Sequence, residues 1–437
     1  MASILFAAPF AAKSQSPDAR VFETIIVEGN DRFRDGDVLA TSGLQTGTPV
    51  GQDDLVAAVE ALDFTGEFED VSIRSEGNTL IIFVEETAAY SGGLTFGAGY
   101  DSDNGVFGAA GFSLDNAFGF NSQIRANAFV ADEIQTLKFI IQSSDFWSEG
   151  VRGGVRLNYA NFEYDETTYN YENTSIEPFV VFDIDEKAVL ELRYTFASDD
   201  ISNVEEDASP IIQAEAGRET SSGVGFSIAT GSRLIGQNDG FLDAWSFRFD
   251  QDFTGLDGDT RLSRTKIALF ARKDLSASGV ALRSRVELGA VVGRNGDDPR
   301  ASDRFTLGGA SLRGFERGAI TPRDVCLGCA ANGDDLVTNL GGNYYAVART
   351  DLLVPIFKSR PSIETFAFVD VGTVWNLDTD VAAAGTVSGG GSTRSSTGIG
   401  ASFDTEIGKF EAYVALATNG QDRDEEQNFG LTFRSDF

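Results

Sequence analysis

The 437-residue chain contains no histidine, and that one absence removes several classes of function. Ser-His and Cys-His nucleophilic catalysis lose their base, and imidazole-ligated metal sites lose their ligand. No G-x-S-x-G elbow, phosphate-binding Walker loop or second C-x-x-C that could complete a zinc site is present. An enzyme is therefore not expected, and neither a metal nor a cofactor is implied. Positive charge is also scarce: 34 Lys and Arg stand against 67 Asp and Glu, for a net charge of −33. Residues 1–87 carry −11 of this and residues 88–437 carry −22. Such a surface repels phosphate, which argues against nucleic acid as a partner and against docking to an anionic leaflet through basic residues. It reads as the solvated surface of a protein from a salt-rich setting in preference to a trap for cations. Long apolar runs are missing too. No stretch approaches the roughly 18 apolar residues of a membrane-spanning helix, and the mean hydropathy is −0.12. A transmembrane β-barrel escapes this exclusion, because its strands alternate apolar and polar residues and never raise a hydropathy average far.

What is abundant is glycine and phenylalanine, 48 and 35 residues, against nine prolines, two cysteines and one methionine. Residues 1–20 read as a leader. The stretch Ile4 to Ala12 resembles the apolar core and exit of a secretory signal, but Lys13 and Arg20 follow it and no basic segment precedes it, so the expectation is a truncated signal peptide and an exported protein. In an exported chain Cys326 and Cys329 read as a small loop-closing disulfide, with a redox motif or half a metal site as the alternatives.

Residues 21–87 read as a compact α+β module. Phe22 to Glu28 alternates as a strand and stops at Gly29-Asn30. Arg34 to Gly43 and Gln52 to Leu62 read as helices, the second with Asp53 and Asp54 in its first turn and Leu55, Ala58, Val59 and Leu62 at helical spacing. Strands near Phe68 to Arg74 and Thr79 to Glu85 follow, with Gly77-Asn78 between them.

Beyond Thr87 the period changes to two. Leu94, Phe96, Ala98 and Tyr100 share one face of a strand; Leu190, Leu192, Tyr194 and Phe196 oppose Glu191 and Arg193; Leu282, Val286 and Leu288 oppose Arg283, Arg285 and Glu287. Alternation alone fits a solvent face in water or a polar lumen in a bilayer. Strands starting near 93, 105, 121, 135, 150, 167, 187, 219, 241, 260, 279, 341, 361, 395, 409 and 427 make sixteen. Residues 200–218 are open between loop and strand. The fold expected is mainly β, a 16-stranded antiparallel transmembrane β-barrel over residues 88–437, preceded by one small α+β domain over residues 21–87. Closure is required, because an open edge in hydrocarbon leaves backbone groups unpaired. Phe429, Leu431, Phe433 and Phe437 share a face of the last strand, which ends the sequence on an aromatic residue.

The longest connection, residues 294–340, holds Arg304-Phe-Thr-Leu-Gly-Gly-Ala-Ser-Leu-Arg-Gly-Phe-Glu316. Loops of that length are usually functional or disordered, and Phe305, Leu307, Leu312, Phe315 and Ile320 favour burial inside the barrel over disorder. Folded inward, Arg313 needs an acid, since an unpaired buried charge costs several kcal/mol. Asp351 and Asp370, on the two strands that follow, are the candidates for a guanidinium fork. The alternative leaves Arg313 exposed and both aspartates with other partners.

The order and phrases of residues 21–87, Val27 to Asn30, Leu44 to Gly47, Gly66 to Val71 and Leu80 to Glu85, resemble a POTRA domain. Leu312-Arg-Gly-Phe315 is similar to the V-R-G-F/Y loop motif of the BamA/TamA superfamily, the bacterial surface antigen barrels, with Leu in place of Val. Phe368-Val-Asp-Val-Gly372 is similar to that family's F-x-D-x-G strand, Asp351 takes the position of an acid on the strand before it, and the terminal aromatic is similar to the signal of outer-membrane barrels. The resemblance implies a bacterial outer-membrane protein with its N-terminal domain in the periplasm. It implies that Arg313, Gly314 and Phe315 anchor the loop through Asp351, Asp370 and Gly372, and that Phe96 and Tyr100 of the first strand and Phe429, Phe433 and Phe437 of the last lie at a weakly paired seam that templates client strands. The partners implied are outer-membrane lipid and lipopolysaccharide, unfolded outer-membrane or secreted client proteins, and periplasmic proteins docking on the POTRA-like domain. The function implied is protein assembly and insertion. The alternatives are a translocation pore for a dedicated secreted partner and a passive porin or surface antigen. The chain departs from the family's essential member in having room for one POTRA domain only.

Overall fold

The computed structural model describes all residues except 1–18, 31–32, 66, 88–91, 119–121, 145, 148–150, 164–166, 186, 233–241, 331, 357–362, 406–407 and 435–437. Most of the expected leader, and Phe437, therefore lie outside the described residues. The chain forms two compact units: residues Met1–Gly92 with Leu114–Gln123, and residues Gly93–Ser113 with Ile124–Phe437.

In the first unit a strand at Thr24–Glu28 pairs in parallel with Thr79–Glu86, which pairs antiparallel with Phe68–Glu76. Two helices, Asp35–Ser42 and Gln52–Asp63, cover this sheet. The first ends because Gly43 takes the left-handed conformation (φ 69°) that a residue with a Cβ resists. The second begins where the Asp54 carboxylate accepts the Gly51 N–H at 2.9 Å. Leu80, Ile82 and Val84 of the central strand pack with Val38, Ala58 and Leu62 of the helices to form the core.

The second unit is built on one sixteen-stranded antiparallel sheet whose strands follow chain order without a crossover. They span Gly92–Asp101, Gly105–Asp115, Ser122–Ala131, Ile134–Ser143, Val151–Phe162, Asn170–Asp185, Ala188–Ser202, Gly217–Thr230, Ala244–Gly258, Leu262–Asp274, Ala281–Gly293, Tyr344–Leu353, Ile363–Trp375, Arg394–Thr405, Gly408–Asn419 and Phe429–Arg434. Every strand begins within three residues of the position expected from alternation. The ambiguous stretch before the eighth strand holds a short helix, Pro210–Ala214, whose Ile211 and Ile212 pack against Ile201, Ala301 and Leu340. The eighth strand begins at Gly217, two residues before its expected start.

Burial resolves what alternation left open. Leu192, Tyr194 and Phe196 are exposed, whereas the intervening Glu191 and Arg193 turn inward and meet Arg156 and Asp252 at 2.9 Å. An apolar outer face over a charged, hydrogen-bonded inner face is the arrangement for hydrocarbon outside and water inside. Glycine and aromatic residues pair across the inner wall. Phe368 lies over Gly398 and Phe366 over Gly400, where an added Cβ would sit 2.6 Å and 2.5 Å from the rings. Phe107 covers Gly99, Tyr345 covers Gly289 and Tyr413 covers Gly430 in the same way. The flat ring restores the apolar cover that glycine lacks, so the two abundant residue types serve one packing device.

The connection between the eleventh and twelfth strands folds inward. Leu307, Leu312, Phe315 and Ile320 are buried with Val347 and Val374 of the wall, and Phe305 is half-buried against the Tyr345 ring at 4.7 Å. Its distal part forms two short strands, Arg323–Cys326 and Leu336–Asn339, joined by Thr386–Ser388 from the connection after the thirteenth strand. Cys326 and Cys329 are bonded to each other at the exposed end of this small sheet.

Candidate functional site

Arg313 owes its place to glycines on both sides. Gly308 (φ 128°) and Gly309 (φ 54°) turn the loop into one 3-10 turn, and Gly314 (φ 92°) turns it again immediately after the arginine. A Cβ at Gly314 would meet the Ser396 Cβ at 2.9 Å, so the loop backbone lies directly on the fourteenth strand. Gly372 serves from the other side: a Cβ there would strike Leu312 Cδ1 at 2.5 Å and Leu307 Cδ1 at 3.0 Å, and its absence makes the hollow that receives the loop. Phe315 is fully buried beyond the turn.

The Arg313 guanidinium is fully buried, and so is Asp370. Nε and Nη2 each donate to one Asp370 oxygen at 2.7 Å, a bidentate fork, while the Arg313 backbone N–H donates to the same carboxylate at 3.2 Å. Nη2 also donates to Asp351 at 2.7 Å, and Nη1 to Glu411 on the fifteenth strand at 3.2 Å. The Phe368 ring lies 3.8 Å from the guanidinium carbon. The Ser396 hydroxyl donates to the Arg313 carbonyl. Burial alone would lower the arginine's pKa, but Asp370, Asp351 and Glu411 outweigh it and push it up, so the group stays charged.

Sequence reasoning named Arg313, Asp351 and Asp370, and the structure brings these three together. It missed Glu411, which alternation along Gly408–Asn419 turns inward beside Tyr413 and Ala415. It also missed the outer members of the network: Arg349 lies 3.6 Å from Glu411 and 3.8 Å from Asp370, Arg283 donates to Asp351 and Glu364 at 3.0 Å, and Lys409 donates to Glu364 at 2.9 Å. Four cations face four carboxylates, which is how a wall tolerates so much buried charge.

The seam is the second feature. Among the described residues no backbone ladder joins the sixteenth strand to the first. The sixteenth, whose described residues run Phe429–Arg434, pairs with the fifteenth. Its free edge meets the first hairpin's turn: Leu431 accepts the Ser102 N–H at 2.7 Å and donates its own N–H to the Ser102 hydroxyl at 3.1 Å, and the Phe433 N–H donates to the Asp101 carboxylate at 2.6 Å. Phe433 shares its strand face with the exposed Phe429, yet its ring stacks 4.6 Å from Phe107, which lies on the opposite, inward face of the second strand from exposed Val106 and Phe112. The last hairpin therefore passes inside the first, and the seam is an overlap. Phe96 and Tyr100 are exposed on the outer face of the first strand.

A barrel of sixteen strands, with one of its own loops ion-paired to the inner wall and one unladdered seam, defines a class of outer-membrane protein. The Omp85 superfamily domain matches residues 116–437, and the chain belongs to that superfamily. Family and fold together place it in the bacterial outer membrane. Outer membrane protein assembly factor BamA of Neorickettsia risticii is 25% identical over 360 residues, 80% of this chain and 46% of that protein. The BamA of Nitratidesulfovibrio vulgaris is 26% identical over 351 residues, 76% of this chain and 43% of the relative. The chain thus spans less than half the length of these curated relatives. Among solved structures, BamA from Haemophilus ducreyi lacking POTRA domains 1–3 superposes with a TM-score of 0.75 at 21% identity, covering 94% of this chain and 84% of that one. CdiB from Acinetobacter baumannii reaches 0.51 at 14% identity, with coverages of 95% and 73%.

Proposed function

We propose that the protein is an outer-membrane protein assembly and insertion factor that templates client β-strands at the seam between its first and last strands. The observation that carries this reading is the outer edge of the last strand, which among the described residues is met by Asp101 and Ser102 at the end of the first strand and by no ladder. Such an edge can exchange its few capping bonds for a client's backbone groups, which satisfies the client before it meets lipid. Arg313, through Asp351, Asp370 and Glu411, holds the loop against the twelfth, thirteenth and fifteenth strands, the last of which pairs with the sixteenth. In this reading residues 21–87 form a POTRA-like periplasmic domain that receives clients and docks periplasmic partners, and the outer face meets lipid and lipopolysaccharide. No covalent chemistry or cofactor takes part.

Joining the seam tests this. Ser102→Cys with Leu431→Cys is expected to cross-link on oxidation and to bring assembly of client barrels into liposomes down to background, with the single variants unaffected and reduction restoring activity. Assembly that continues through a fully joined seam would sink templating. Loss of one secreted protein from cells, with barrel proteins unchanged, would instead favour the translocation pore.

A further inference from the structure

A second buried ionic cluster lies apart from Arg313. Asp424, in the connection between the fifteenth and sixteenth strands, is almost wholly buried. Arg394, the first residue of the fourteenth strand, donates to its two oxygens from Nε at 2.9 Å and Nη2 at 3.1 Å. Arg323, from the inward loop, donates to the same carboxylate from Nη1 at 3.1 Å. Both guanidiniums are themselves buried, so a single carboxylate holds two desolvated cations. Removing it would leave two like charges side by side without a counter-ion, and the parts that carry them would separate.

Those parts meet at the start of the last strand. Glu316 N–H donates to the Glu425 carbonyl at 2.9 Å and Gln427 N–H to the Gly314 carbonyl at 3.2 Å, so residues 424–427 lie along the loop as a fixed segment. The sixteenth strand begins two residues later, at Phe429, and rises about 3.3 Å per residue. A shift of one residue would carry the Leu431 and Phe433 edge groups past Ser102 and Asp101 and turn every side chain to the other face. Among the described residues six ladder pairs with the fifteenth strand oppose such a slip.

We propose that Asp424 is a positioning residue for the seam: clamped by Arg323 and Arg394, it fixes the height of the last strand, so that the capping bonds to Ser102 and Asp101 form in register. This rests on the seam being the working edge, but its test contains no client and stands apart from the assembly reading.

The test is hydrogen–deuterium exchange on the full chain in nanodiscs, followed at peptides covering residues 428–434. Asp424→Asn is expected to speed exchange there at least about tenfold, while peptides from strands five to nine keep their protection. Asp422→Asn, two residues away and exposed, should leave exchange unchanged. Asp424→Glu, which restores the charge on a longer stem, should recover part of the protection. Unchanged exchange at 428–434 in a folded Asp424→Asn protein overturns the proposal, as does an equal rise across all strands, which would mark a general loss of stability. Should Asp424→Asn fail to fold, Arg323→Gln decides, because it leaves the Asp424–Arg394 pair balanced: faster exchange confined to 428–434 supports the proposal, and unchanged exchange overturns it.

Discussion

A guanidinium with no exposed surface, set between three carboxylates and a phenyl ring, is the most heavily committed side chain in the molecule. Arg313→Ala would leave the buried Asp370 with the longer Arg349 contact at 3.8 Å in place of the fork, and should cost about 3 kcal/mol, read as a lower unfolding temperature of the barrel in detergent. Arg313→Lys keeps the charge but loses the fork, and should recover only part of that loss. The motif residues were legible because a glycine-flanked arginine and two strand aspartates stand close together in sequence. Glu411 was not, because it lies 98 residues away and only the closing of the sheet brings it near. Titration at the seam follows from burial as well. Asp103, in the first turn, accepts the Ala310 N–H and the Gln427 amide, each at 3.1 Å. Burial pushes its carboxyl up from 3.8, Asp101 adds to the rise, and Gln427 and Arg317 only partly oppose it. A folded-state pKa above the unfolded one means the folded chain binds the proton more tightly, so burying Asp103 costs stability least as pH falls toward 3.8 and most once pH has risen through the raised value. Asp424 runs the other way. Burial would raise it, but Arg394, the Gln421 N–H and Arg323 bring it below 3.8, so its hold fades only in stronger acid. Protection at residues 428–434, taken from the exchange rate relative to the intrinsic rate at each pH, should therefore fall as pH rises through the raised value; protection that grows over that range would show that Asp103 does not weigh on the last strand.

Among elements, the inward loop gains most from its neighbours. Asp324, on the short strand Arg323–Cys326, accepts the Ser209 hydroxyl at 2.6 Å and the N–H groups of Ala384 and Gly385 at 2.7 Å and 2.8 Å. One carboxylate thus joins three connections. Asp324→Ala leaves the buried Ser209 hydroxyl without its acceptor, at about 1–3 kcal/mol, and unties the exposed Ala384 and Gly385, and limited proteolysis should then cut within residues 326–336 where the parent chain resists. The barrel strands themselves were readable to within three residues, because period two is a local property of each strand. The small sheet was not. Its strands have three or four residues, and two are drawn from connections about 50 residues apart, so no local pattern announces the pairing. The helix Pro210–Ala214 escaped for a related reason: five residues are too few to show a helical period, and its apolar pair is explained only by Ile201 and Leu340 arriving from elsewhere.

For the molecule as a whole, the charge of −33 sets a salt dependence. Raising salt from about 0.05 M to about 0.5 M shortens the screening length from about 14 Å to about 4 Å, which relieves repulsion across the surface while the buried pairs of Arg313 and Asp424 feel little of it. The unfolding temperature should therefore rise with salt, and a fall would mean that exposed ion pairs outweigh the net repulsion. The barrel was visible in the period-two alternation of sixteen segments, but the overlap of its two ends was not, since no residue of Phe429–Arg434 differs in pattern from an ordinary closing strand. That overlap has a geometric consequence. In a barrel closed by ladders the girth is fixed by strand number and register. Here the two ends meet as the ends of a collar, one lying within the other, with the rings of Phe107, Phe410 and Phe433 packed between them. Among the described residues no ladder spans that meeting, so the girth there rests on the few bonds from Ser102 and Asp101 and on the fit of those rings, and not on a register.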